Sequence, residues 1–198
     1  VVVGGDTVET YIVGTYTVTY NVSDSNGRPA AQVTRTVRVV GTSVPVIALT
    51  AEAAAAIYDG ETYTEQGATA TDNYDTTLVV VVGGDTVETS IVGTYTVTYN
   101  VSDSNGNPAA QVTRTVSVVD TSVPVIALTG EATVTIEVGA TYTEQGATAT
   151  DNYDTTLTVV VGGDTVETSI VGTYTVTYNV TDAIGNLAIE VTRTVTVV

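Results

Sequence analysis

The stretch Gly14-Thr15-Tyr16-Thr17-Val18-Thr19-Tyr20-Asn21-Val22-Ser23-Asp24 returns at 93–103 and, with one Ser to Thr change, at 172–182. The spacing is 79 residues each time, and no insertion or deletion interrupts it anywhere in the chain. A chain written this way is an array: each unit must bury its own apolar face or share it with the next, and what one unit folds into the others fold into as well. Residues 1–42 read as the C-terminal half of a unit, 43–121 as a whole unit and 122–198 as a second whole unit. The two whole units agree at about four positions in five, and the leading half differs from its counterpart at only a handful.

Within the recurring stretch, Tyr16, Val18, Tyr20 and Val22 fall on one side of a period-two alternation and Thr17, Thr19 and Asn21 on the other. That is the pattern of a strand with one face in a core and one in water. Gly14 supplies a turn before it, and Asp24-Ser25-Asn26-Gly27 closes a hairpin into a second strand, 32–40. The core must be built from Val, Ile, Leu, Ala and Tyr, because Phe, Trp, Met, Cys, His and Lys are all absent. Such side chains suit thin sheet-on-sheet packing better than a bulky helical core.

Each whole unit opens with Ser-Val-Pro-Val-Ile-Ala-Leu-Thr, with Pro45 or Pro124 at the first residue of a strand, where its missing N–H does no harm. A second extended piece, 132–138, alternates well in the last unit; its counterpart Glu52-Ala53-Ala54-Ala55-Ala56-Ile57-Tyr58 is helical by propensity, yet its place in the repeat predicts strand or irregular chain. Then come 62–71, the polar corner Asp72-Asn73-Tyr74-Asp75, an apolar strand 78–82 ending at a Gly83-Gly84 turn, and a short piece 86–90. The count is about seven strands in under 80 residues, the density of a sandwich. Linkers such as Val118-Val119-Asp120-Thr121-Ser122-Val123-Pro124 are short, so successive sandwiches are expected to stack along one axis.

Four motifs carry a family resemblance. They are Pro-Val-Ile-x-Leu-Thr-Gly, Thr-Tyr-Thr-Glu-x-Gly-Ala-Thr-Ala-Thr-Asp-Asn, Val-Gly-Thr-Tyr-Thr-Val-Thr-Tyr-Asn-Val-Thr-Asp and Val-Thr-Arg-Thr-Val-Thr-Val-Val. Together they resemble the bacterial and archaeal immunoglobulin-like repeats of large surface proteins, and are similar to hyaline-repeat and polycystic-kidney-disease-type modules. The resemblance covers essentially the whole chain. It implies an all-β fold of tandem immunoglobulin-like sandwiches and a place in stalks, adhesin shafts or fibres at the cell surface or outside it. Where many relatives carry Asp-Gly-Asp in the polar corner, this chain has Asp75-Thr76-Thr77 and Asp154-Thr155-Thr156.

Chemistry is sparse. Without His, Cys or Lys the usual bases, thiolates and Schiff-base amines are missing, and Asp72 with Asp75 sits in a loop that no aromatic pocket surrounds. No enzyme is expected. The net charge of −17 excludes a nucleic-acid binder, disfavours anionic lipid and favours solubility. No apolar run approaches the roughly 20 residues of a spanning helix, and no signal peptide is visible.

No cofactor is expected, with calcium as the one candidate. Asp72, Asn73 and Asp75, repeated as Asp151, Asn152 and Asp154, offer hard oxygen ligands, and Asp103 or the linker residue Asp120 could join them at a domain end. Solvated corners with Asx-turns are the plainer reading of the same residues. Asn21, Asn100 and Asn179 are glycosylation sequons on the threonine-bearing face. Arg35, Arg114 and Arg193 recur on the valine-bearing face, where each is expected either to pair with a carboxylate such as the Asp ending the preceding strand, or to reach water past a packed stem.

The function expected is a structural component of an extracellular filament, fibre or cell-surface stalk; a calcium-dependent adhesin or binding module is the alternative. The expected partner is the chain itself, in longer arrays or in fibres. The leading half reads either as an excerpt from a longer array or as a sheet completed by strand complementation from a neighbour.

Overall fold

The structure, a computed structural model, describes all 198 residues. The leading half supplies β1 (Val2–Gly5), β2 (Gly14–Asn21) and β3 (Val33–Val39). The middle repeat supplies β4 (Val46–Leu49), β5 (Ala54–Tyr58), β6 (Ala68–Thr71), β7 (Val81–Gly84), β8 (Gly93–Asn100) and β9 (Val112–Val119). The last supplies β10 (Val125–Leu128), β11 (Thr133–Ile136), β12 (Ala147–Thr150), β13 (Val160–Gly163), β14 (Gly172–Asn179) and β15 (Val191–Val197).

In the last repeat β10 and β12 form a two-stranded sheet, and a second sheet runs in the order β11-β15-β14-β13. The middle repeat has the same plan, β4-β6 and β5-β9-β8-β7. In the last repeat pairing is antiparallel except at β11–β15, where Thr133 to Ile136 run parallel to Thr194 to Val197. The four residues between β10 and β11 therefore carry the chain from one sheet to the other. Close contacts gather into two compact units, one of 1–54, 64–86 and 96–115, the other of 55–63, 87–95 and 116–198. Each unit thus draws on residues of two successive repeats.

The alternation places the core. Along β14 and β15, Val176, Tyr178, Val195 and Val197 are buried while Thr173, Thr175 and Thr192 are exposed. Tyr174 packs partway and donates its hydroxyl hydrogen to the carbonyls of Ile170 and Glu167, 3.0 and 3.1 Å away. Tyr16 and Tyr95 make the same corner bonds, as their position after Gly-Thr predicts. In the leading half, which has one sheet of order β1-β2-β3, the inner face stays open: Val22 is 47% exposed where its equivalents Val101 and Val180 are 5% and 1%.

One local reading holds against propensity and two change. The run Ala54–Tyr58 is a strand in spite of its alanines, since tertiary pairing along β9 outweighs intrinsic propensity. The segment 86–90 is irregular chain and turn, which leaves six strands and one isolated bridge in each whole repeat. Strand 78–82 is displaced to Val81–Gly84, so the two glycines lie inside it. They permit a left-handed turn of the backbone at the strand's end: Gly163 has φ +79°, and a Cβ there would stand 2.3 Å from the carbonyl oxygen of Thr175. Asp164 then accepts the Thr175 N–H at 2.7 Å and ends the ladder.

Candidate functional site

Two acidic clusters form where the polar corner meets the turn after the long hairpin strand. In the first unit one carboxylate oxygen each of Asp72, Asp75 and Asp103 lies within 4.8 Å of the others; in the second, Asp120, Asp151 and Asp182 do the same. Local turns aim these side chains. Asp151 Oδ1 accepts the N–H groups of Tyr153 (3.0 Å) and Asp154 (3.1 Å), an Asx-turn repeated at Asp72 with Tyr74 and Asp75. Asp182 Oδ1 accepts three N–H groups, from Ile184, Gly185 and Asn186. Its burial pushes the carboxyl up, but the bonds from Asn186, Gly185 and Ile184 outweigh that and hold it below the usual carboxylate value.

The remaining expected ligands have other employment. Asp154 accepts from the N–H of Thr156 (2.9 Å) and of Ala183 (3.0 Å), and the first of these bonds does most to lower its carboxyl. Asn152 donates its amide to Asp59 Oδ2 at 2.9 Å, and Asn73 is exposed. Asp120 and Asp103, named as auxiliary ligands by sequence, sit inside the clusters, together with Asp182 at the place equivalent to Asp103. The sequon asparagines lie on the outer sheet face: Asn21 and Asn100 accept from Gln32 and Gln111 at 3.0 Å, and Asn179 donates its amide to Glu190 at 2.7 Å.

Two of the three recurring arginines, Arg114 and Arg193, are core residues, whereas Arg35 is exposed. Arg193 is 1% exposed, donates Nε to the Glu131 carbonyl (2.9 Å) and Nη2 to that of Thr129 (2.6 Å), and pairs through Nη1 with Glu144. Its guanidinium lies 5.5 Å from the centre of the Tyr178 ring, and the Tyr178 hydroxyl also donates to Glu144. Arg114 repeats this with Glu65, the Glu52 carbonyl and Tyr99. For Arg114 and Arg193 the partner is thus the Glu of Thr-Tyr-Thr-Glu rather than the Asp ending the preceding strand, and their heads do not reach water; Arg35 is exposed. Sequence did hold a signal for this pairing, since Glu65 and Glu144 recur with Arg114 and Arg193 at one fixed separation of 49 residues.

Two-sheet repeats with a tyrosine corner, a parallel pair between the second strand and the last, and a buried arginine–glutamate pair define immunoglobulin-like sandwiches in tandem. The chain belongs to the family described as bacterial surface protein, Ig-like domain, which matches it at 1–39, 47–118 and 126–197. Among curated proteins, hyalin of Lytechinus variegatus is 35% identical over 96% of this chain and 37% of its own length. An uncharacterized 81.3 kDa protein of Acholeplasma phage L2 is 32% identical over 88% of this chain and 25% of its own, and hyalin of Strongylocentrotus purpuratus 32% over 96% and 17%. The chain therefore spans well under half the length of these relatives. The solved structure of Sidekick-1 immunoglobulin domains 1–4 aligns with 96% of this chain and 60% of its own at 16% identity and a TM-score of 0.40. No helix is long and apolar enough to cross a membrane.

Proposed function

We propose that this chain is a length of an extracellular filament, fibre or cell-surface stalk, extended by repetition and without catalysis of its own. The observation that carries the reading is a linker clamp made the same way twice. Asn107 donates its amide to the carbonyl of Gly41 at 3.0 Å, and Asn186 donates its amide to the carbonyl of Asp120 at 3.4 Å. In each case a hairpin asparagine, itself held by the adjacent Asp103 or Asp182, grips the linker that precedes its own repeat. A device of this kind holds each linker against the repeat it leads into, and a tethered linker suits a shaft built by repetition. Membership of a surface-protein family supports the extracellular setting.

Electron microscopy of the native material tests the proposal. Long unbranched filaments, or stalks of regular width projecting from cells, are the expected result. Monomeric particles with no extended part would refute it.

A further inference from the structure

We propose that Asp120, Asp151 and Asp182 form a binding site for a hard divalent cation of the Ca²⁺ class, built into the second linker and only partly built into the first. Asp120 carries the argument. It is 4% exposed; its Oδ1 accepts the Ser122 N–H at 2.9 Å, while its Oδ2 is buried and meets no donor at all. Asp151 Oδ2 is likewise buried without a partner. Buried anionic oxygens are ordinarily satisfied, so two in one cluster mark the place of a positive charge. Asp182, 7% exposed, supplies a third carboxylate, and one oxygen from each of the three falls within 4.8 Å of the others. Calcium holds oxygens at about 2.3–2.6 Å, so two ligands on opposite sides of one ion stand up to about 5 Å apart. Carboxylates are the ligands such an ion prefers, and it accepts irregular geometry completed by water.

The first linker offers a comparison inside the same molecule. There Asp72 Oδ2 is the single buried oxygen without a partner, both oxygens of Asp75 are taken by Ser104, and Gly41 stands where the second linker has Asp120. Gly41 does not need to be glycine: its φ is not left-handed, and a Cβ there meets the amide end of the exposed Asn105 at 2.8 Å. Cation affinity in such sites follows the number of charged ligands.

The test is calcium titration of the whole 198-residue chain by isothermal calorimetry, paired with thermal melting in calcium and in chelator. One site per chain and a higher melting temperature in calcium are expected. Asp120→Asn and, separately, Asp151→Asn should weaken binding by about tenfold or more, and Gly41→Asp should raise the stoichiometry to two. Far-ultraviolet circular dichroism confirms that each variant is folded. Absence of heat with calcium overturns the proposal, as does binding that Asp120→Asn leaves unchanged or a stoichiometry that Gly41→Asp leaves at one.

Discussion

Glu144 accepts from four donors, the hydroxyls of Tyr142 and Tyr178, the Gly146 N–H and the Arg193 guanidinium. Burial alone would raise its pKa, but the Tyr142 and Tyr178 hydroxyls, the Gly146 N–H and Arg193 together depress it to about 2. A carboxyl depressed in the folded state contributes stability above its unfolded pKa and loses it as pH falls through the folded value. The window is therefore from about pH 4.5 down to about pH 2, and for a side chain 27% exposed the loss is at most about 3 kcal/mol. Urea unfolding followed between pH 6 and pH 2 should show this decline, and Glu144→Gln should flatten it. Removing the cation is a sharper test. Arg193→Met leaves the carbonyls of Thr129 and Glu131 without their buried donor and is expected to destabilise by about 3–5 kcal/mol. Arg35→Met should change stability by less than about 1 kcal/mol, because Arg35 is exposed and lies over Tyr20 at 5.8 Å from the ring centre. Denaturant unfolding compares the two directly. Period-two alternation already places Arg193 on the inner face. It does not name the acceptor, since a pattern records the face of a strand and not which loop folds over it.

Among the elements, the short edge strand β13 is the most demanding of its sequence. All four of its residues are exposed, and it rests on β14 through a register that ends at Gly163 opposite Val176. Gly163→Ala should destabilise by roughly 1–3 kcal/mol, combining left-handed strain with a clash against Thr175. Gly27→Ala should lose about 1–2 kcal/mol at most, since its left-handed turn has nothing within 4 Å of the added methyl group. Melting of the two variants separates strain from clash. The long strands were legible because eight residues of alternation fix both face and length, as in Gly172–Asn179. The four-residue strands were not, because Val79-Val80-Val81-Val82 reads as strand equally well at either end, and its true place is set by pairing with β8 at Val81↔Asn100. The acidic clusters were legible in part. Asp72 and Asp151 stand out by spacing, whereas their convergence with Asp103 and Asp182 depends on two loops meeting about 30 residues apart in sequence.

Across the molecule, a charge of −17 is spread over 22 acidic and 5 basic residues, and two of those basic residues are buried in ion pairs. The surface is thus almost purely anionic, and self-repulsion opposes the folded state at low salt. Raising sodium chloride from 10 mM to 1 M shortens the screening length from about 30 Å to about 3 Å. A higher melting temperature is expected over that range, measured in chelator so that divalent ions play no part. The left-handed glycine that ends β13 has a further consequence in such a chain. Repeats that agree at about four positions in five place, at very high local concentration, a strand able to pair with any neighbour's open edge. Past Gly163 the Asp164 N–H makes one more bond, to the Thr175 carbonyl at 2.8 Å, while the Asp164 carboxylate takes the Thr175 N–H, so the strand pairing stops after four residues. The same two residue types recur at Gly5-Asp6 and Gly84-Asp85. Each repeat thereby carries its own stop against its twin, which is how a nearly monotonous sequence keeps its copies from folding into one another.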